Sequence, residues 1–493
     1  MKMRNIVAAG GTVNSGKGIF VIFAIIVACF AFIIMKDIDI SSGVVLVIGV
    51  FSFAVLLFAS VNRPDMILYA LVAYLPFSKI LVGDFGGLAT ALNFTNILAI
   101  FALLVWVTTS LTKNQRFYTR TSLDIPLLIF MLLGCISLLK GVFYFGFGYL
   151  EELIFPLKRW LTPMFFYFIF FNMVKTKEEI KNITVIIMFT TFIVALMAIR
   201  DYIDIGAGSS LENARIGGIA DQPNILAAFF VYYMFLFAGF MLVYWRNYRY
   251  WFLFLPFLAC FRGIQVTFSR GGYVAFAAAA LATAFFKNKV LFAVGVVFLI
   301  FALSVPGLLP KGMQYRMSST FRDNKVFAQG LEDVIDTSSL RRVEAWKGGL
   351  KMIKEKPLFG MGYGLFPYLI PMYASVDNMD AHNAYILIAA EMGVPALLMF
   401  LIMLVIIFRR TLRLYKITKD NFIKALTLGF LGCLGGLVVA NVFGGRLDSQ
   451  EICSYFWIIA ALIFRASYLE KQEKGKISRY VSKSSARLQK SIQ

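Results

Sequence analysis

Apolar stretches long enough to cross ~30 Å of hydrocarbon recur along this chain. They lie at roughly 19–35, 43–61, 66–83, 92–111, 124–142, 160–174, 182–199, 225–243, 251–268, 271–286, 290–306, 384–408, 425–443 and 453–467, about fourteen by hydropathy window. Hydrophobic residues make up 60% of the chain and charged residues only 15%, whereas a soluble globule carries nearer a quarter charged. Backbone polar groups inside hydrocarbon must be satisfied within each segment, which favours helices for runs of this length. The chain therefore reads as an all-α polytopic membrane protein with about 12–14 transmembrane helices.

The formal charge of +21 does not point to nucleic acid, because no DNA-binding motif accompanies it and apolar runs keep returning between the basic clusters. Those clusters are Lys113/Arg116/Arg120, Lys175/Lys177/Lys181, Arg246/Arg249, Lys287/Lys289, Arg409/Arg410/Arg413/Lys416 and the tail from Lys471. They all fall on one side, with both termini, if the N-terminus is cytoplasmic. Membrane lipids, above all anionic headgroups, are the partners this pattern implies. Lys2, Arg4 and Lys17 precede the run at 19–35 without a small-x-small cleavage site, so that run is expected to be a retained first span. The five cysteines lie in or beside apolar runs with no CxxC spacing and read as small buried hydrophobes. Gly11 to Lys17 fits GxxxxGK, but Gly18 stands where Ser or Thr is needed and no strand precedes it, so the segment reads as a flexible leader.

The chain divides into N-terminal helices (1–250), a central region with a long loop (251–410, loop 307–383), C-terminal helices (411–467) and a basic tail (468–493). Segments 144–159, 200–224 and 307–383 fall on the non-cytoplasmic side and break the positive-inside pattern with Lys158, Arg159, Arg215, Arg341 and Arg342. The loop has a helix of its own: Leu340, Val343, Trp346, Leu350 and Ile353 recur at helical spacing after Ser338 and Ser339, and Pro357 stops it. An interfacial helix anchored by Trp346 is expected. Gly360, Gly362 and Gly364 follow, a turn whose amides could cup an anion.

His382 is the only histidine and the natural candidate for proton exchange near neutral pH; the bland alternative is a capping or interfacial group. Arg215, Arg270 and Arg341/Arg342 share its side of the membrane, and guanidinium forks suit phosphate oxygens. Their alternatives are a local pair of Arg215 with Glu212 or Asp221 and snorkelling of Arg270 to headgroups. Arg341 and Arg342 begin a helix, a poor place for cations unless an anion joins them. Glu391, inside the run after His382, is expected to hold structure.

The order Ser269-Arg270-Gly271-Gly272, Arg342-x-x-x-Trp346, Pro357-Leu-Phe-Gly360-x-Gly362-Tyr-Gly364, His382-Asn383-x-Tyr385 and Glu391-x-Gly393-x-Pro395 resembles the O-antigen ligase and O-antigen polymerase superfamily. The resemblance covers roughly 256–408, and Arg215 and Asn224 resemble that family's upstream elements. It implies a fold like type C glycosyltransferases and an inverting, metal-independent transfer without cofactor at the outer face of a bacterial inner membrane. The implied donor is an oligosaccharide on undecaprenyl diphosphate. The acceptor would be a lipid core (as in lipopolysaccharide), a cell-wall glycan or a growing polysaccharide. By the same resemblance His382 assists the acceptor hydroxyl, Arg215, Arg270 and Arg341 or Arg342 hold the diphosphate, and Asn224, Asn383 and Glu391 support them. A repeat-unit polymerase is the alternative within the family, and a lipid-linked oligosaccharide flippase the alternative outside it. Carriers usually keep ionisable residues near mid-membrane, and here polar groups gather outside the apolar runs.

Overall fold

Apolar runs of this length fold as helices and bury their smallest faces against one another. The computed structural model describes residues 60, 63–81, 94–112, 116–205, 215–305, 307, 314, 337–445 and 449–492, all within one unit, Leu56–Gln493. The runs at 19–35 and 43–61, most of the latter's length, and the GxxxxGK segment lie outside these residues.

The described residues hold helices and no strand. In chain order the principal helices are α1 (Asp65–Tyr74), α2 (Phe94–Thr112), α3 (Asp124–Phe145), α4 (Phe147–Met173), α5 (Lys177–Ile205), α6 (Pro223–Val243) and α7 (Phe254–Thr267). There follow α8 (Arg270–Lys287), α9 (Lys289–Ser304), α10 (Thr337–Glu355), α11 (Ala384–Met392), α12 (Val394–Ile417), α13 (Asn421–Ala440) and α14 (Gln450–Ile492). Nine described helical segments are long and apolar enough to cross a membrane. The chain is an all-α, multi-pass membrane protein.

Three of the expected apolar runs take other forms. Pro76 turns 66–83 into a short helix and a 3-10 turn. Residues 290–306 form the 16-residue α9, in which only Ala302 is buried. The run 384–408 is two helices, because Gly393 at φ +91° ends α11 and starts α12. Cys260, Cys433 and Cys453 are buried as expected, while Cys135 is exposed on α3.

The core of the bundle is α6, α8 and α13. A β-carbon at Gly429 would lie 2.6 Å from the Phe235 carbonyl oxygen, and one at Gly239 would lie 2.5 Å from that of Ala425, so α6 and α13 touch backbone to backbone. At Gly436 it would lie 2.5 Å from Val231 and 3.3 Å from the Ala275 carbonyl oxygen, which brings α8 into the same seam. Such close approach is how helices associate where lipid removes the hydrophobic drive. The seam also sets a common level. Five residues beyond it lie Leu226 on α6, Arg270 opening α8 and Asn441 closing α13, each displaced ~7.5 Å by helical rise toward the same end.

Candidate active site

Gln222 precedes α6 with Pro223 in its first turn, and Ser269 caps α8 through its hydroxyl, which accepts from the Gly272 amide at 3.2 Å. The two helix starts are joined by Asn224, whose Oδ1 accepts from the Ser269 hydroxyl at 2.8 Å and from Arg215 Nη2 at 3.2 Å. Arg215 Nε donates to the Thr267 carbonyl at 3.2 Å, and the Ile216 amide donates to the Val266 carbonyl at 3.2 Å. Two neutral oxygens thus hold the guanidinium in place. Asp221 pairs instead with Lys79 at 2.5 Å. Arg270 is the first residue of α8, at the positive end of the helix dipole, which favours an anion. Gly272 is required beside it, since a β-carbon there would lie 2.8 Å from Ala227.

His382 sits in the turn before α11 with φ +46°, a left-handed conformation that costs a non-glycine residue of order 1–3 kcal/mol. Its neighbours enforce that turn. Asn383 caps α11, its Oδ1 accepting from the Tyr385 amide at 3.0 Å and the Ile386 amide at 3.2 Å. The Ala384 amide donates to the Asn441 carbonyl at 2.9 Å, and Asn441 Nδ2 donates to the Tyr232 hydroxyl at 2.8 Å. Through Asn441 the turn is tied to α13 and α6, at the level of Arg270. Asp380 Oδ2 lies 3.8 Å from His382 Nδ1, each side chain 38% exposed. Burial pushes the Asp380 carboxyl up, while the imidazole and the Ala381 and His382 amides draw it back.

The helix expected in the loop is present as α10, and Trp346 is tied to the protein. Its Nε1 donates to the Ala381 carbonyl at 2.8 Å, and the helix packs through Ala345, Gly348, Gly349 and Met352 against Phe366, Ile370 and Ile386. An indole N–H drawn out of water needs an acceptor, and for half-buried Trp346 that acceptor adjoins His382. Arg342 lies one turn before Trp346 on the same helix face. It is half-buried, whereas Arg341 is exposed, so Arg342 is the arginine of the pair turned toward the protein.

The first three amides of the glycine loop are already taken. The amides of Gly360, Met361 and Gly362 donate to the carbonyls of Lys356, Ala390 and Glu391 at 3.0, 2.7 and 3.0 Å. Glu391 is 5% exposed and accepts from the Phe366 amide at 3.1 Å, while its carbonyl also takes the Ser137 hydroxyl at 2.7 Å. It clamps the loop to the end of α11, in keeping with the structural part expected of it. Lys140 and Tyr149 add hydrogen bonds to the Gly360 and Tyr363 carbonyls.

Arg215, Asn224 and Arg270 therefore form one assembly, and His382, Asn383 and Arg342 belong to a second on the same end of the bundle. Asp380 and Asn441 were missed by the sequence reading. Asp380 stands two residues before the histidine, and Asn441 is a polar residue within an apolar run, a signal worth weighing. Among the described residues no three His, Cys, Asp or Glu side chains gather as metal ligands.

Residues 255–401 match the family described as O-antigen ligase. The chain carries an O-antigen ligase domain. That domain runs from α7 into α12 and contains Arg270, Arg342, His382, Asn383 and Glu391, while Arg215 and Asn224 dock onto it from upstream. A search of curated proteins gives no match. The match supports a place for the chain in the O-antigen ligase and polymerase superfamily.

Proposed function

We propose that the chain is a glycosyltransferase that moves a glycan from undecaprenyl diphosphate to a hydroxyl acceptor at the non-cytoplasmic face of a bacterial inner membrane. The observation that carries this reading is the Arg215–Asn224–Ser269–Arg270 assembly, set at the same level as the His382 turn of the matched O-antigen ligase domain. Arg215 and Arg270, at two helix starts, offer a concentrated positive field to a diphosphate, and Arg342 adds a third guanidinium from α10.

In this mechanism the acceptor hydroxyl gives its proton to His382 as its oxygen bonds to the anomeric carbon from the face opposite the diphosphate. The anomeric carbon–oxygen bond breaks, and its electron pair leaves on the diphosphate. Positioned base catalysis supplies typically 10²–10⁴-fold. Cations fixed before the reaction stabilise the leaving charge without reorganising. Inversion at the anomeric carbon follows from a single displacement.

The experiment is incubation of the purified protein with undecaprenyl-diphosphate oligosaccharide and, separately, a lipid core, a cell-wall glycan fragment and the donor as its own acceptor, with and without chelator. An inverted glycosidic product supports the reading, and the acceptor that yields it separates ligase from polymerase. Movement of the donor across vesicle membranes with no product would support a flippase and refute it.

A further inference from the structure

Two side chains of the turn before α11 face each other, and only one of them has a part in the mechanism above. We infer that Asp380 is a positioning residue for His382, its carboxylate holding the imidazole with a proton on Nδ1 so that Nε2 is the atom that accepts the substrate's proton. The inference rests on the glycosyltransferase reading and deepens it.

Geometry is the first support. The Asp380 Oδ2 to His382 Nδ1 separation of 3.8 Å is an ion-pair distance and somewhat beyond a hydrogen bond, and such contacts commonly tighten when substrate fills the site. The acidic oxygen lies on the Nδ1 side of the ring, which leaves Nε2 on the far side. Because the protonated nitrogen of a neutral imidazole is set by the group beside it, a carboxylate at Nδ1 selects one tautomer. It also favours the imidazolium formed once Nε2 takes a proton.

The second support is how firmly the pair is built in. Ala381, between the two residues, has its carbonyl held by Trp346 at 2.8 Å, and the Ala381 and His382 amides favour the charged form of the Asp380 carboxyl. Gly445, on the link from α13 to α14, lies against the same carboxyl, where a β-carbon would be 3.6 Å from Oδ2. His382 is left-handed, so its ring direction depends on a turn fixed from α10, α13 and the Asp380 side chain together.

The step balances without any further reagent. The hydroxyl proton moves to Nε2, the new carbon–oxygen bond forms as the bond to diphosphate breaks, and the Nδ1 proton stays where it was, facing Asp380. Asp380 exchanges no proton.

A bland account also exists: the carboxyl only builds the turn by accepting amides. Asp380→Asn separates the two, because its side-chain oxygen still accepts amides while the charge is gone. With undecaprenyl-diphosphate oligosaccharide and the acceptor that the unaltered protein uses, Asp380→Asn should lower kcat at least ~10-fold, with donor Kd and KM unchanged. Asp380→Glu, which restores the charge, should recover part of that loss. A wild-type kcat in Asp380→Asn would overturn the inference and leave the glycosyltransferase reading standing. Loss of donor binding along with kcat would assign Asp380 to building the turn and overturn it as well. Full transfer by His382→Ala would remove the base and, with it, any part for Asp380. Absence of transfer by the unaltered protein would refute the underlying reading itself.

Discussion

The two ends of the helix bundle are built by different rules. Among the described residues, every non-glycine residue with positive φ, namely Asp221, Phe268, Asn378 and His382, lies at the end that carries the candidate site. So do Gly360, Gly362, Gly364 and Gly393. The opposite end closes its helices with ordinary caps and acid-to-donor contacts: Asp124 accepts from the Thr121 amide at 2.7 Å, Asp420 from the Phe422 amide at 2.8 Å, and Glu473 pairs with Lys177 at 2.7 Å. Backbone strain persists only where its surroundings over-determine it, and it gathers at functional sites. One end is therefore made to hold a pose, and the other to finish helices cheaply.

This contrast predicts a graded series. His382→Ala should reduce transfer ~10²–10⁴-fold, about 3–5 kcal/mol of transition-state stabilisation, while donor binding survives; an unchanged rate in a product assay would erase the functional half of the comparison. Gly393→Ala comes next. Its β-carbon would overlap the Leu358 carbonyl, and its φ of +91° with ψ of +166° is a conformation essentially restricted to glycine, so a loss of about 2–3 kcal/mol is expected, read as a lower Tm together with lost transfer. Arg215→Lys should weaken donor binding about tenfold, ~1.4 kcal/mol, because one ammonium cannot span both the Thr267 carbonyl and Asn224; an unaltered Kd in a donor titration would count against the diphosphate assignment. The smallest effect belongs to the opposite end. Asp420→Ala removes the α13 cap and should cost ~1 kcal/mol of stability with transfer per folded molecule unchanged, and a large drop in kcat there would blur the distinction between the ends.

Much of this was legible in the sequence because hydropathy reports the medium a segment occupies. The helical character of the apolar runs follows from that. Pairing is another matter. The break at Gly393 is invisible to a hydropathy window, since the residues on both sides are apolar and only the backbone angle changes. Trp346 at helical spacing reads equally well as a lipid anchor or a core residue, and its acceptor, Ala381, is 35 positions away. The Met361 and Gly362 amides looked available because nothing local shows that Ala390 and Glu391 claim them. Arg341 and Arg342 were indistinguishable until α10 was given a face. Sequence spacing locates such groups along an element, whereas their partners come from distant parts of the chain.

The glycine seam of α6, α8 and α13 bears on how the molecule works through time. A carrier that alternates its opening between two compartments must rock one group of helices against another, and that demands side-chain interfaces able to re-pack. Helices that meet main chain to main chain at Gly239, Gly429 and Gly436 have no such slack. A covalent staple across this seam should leave a stationary catalyst turning over and would arrest a pump.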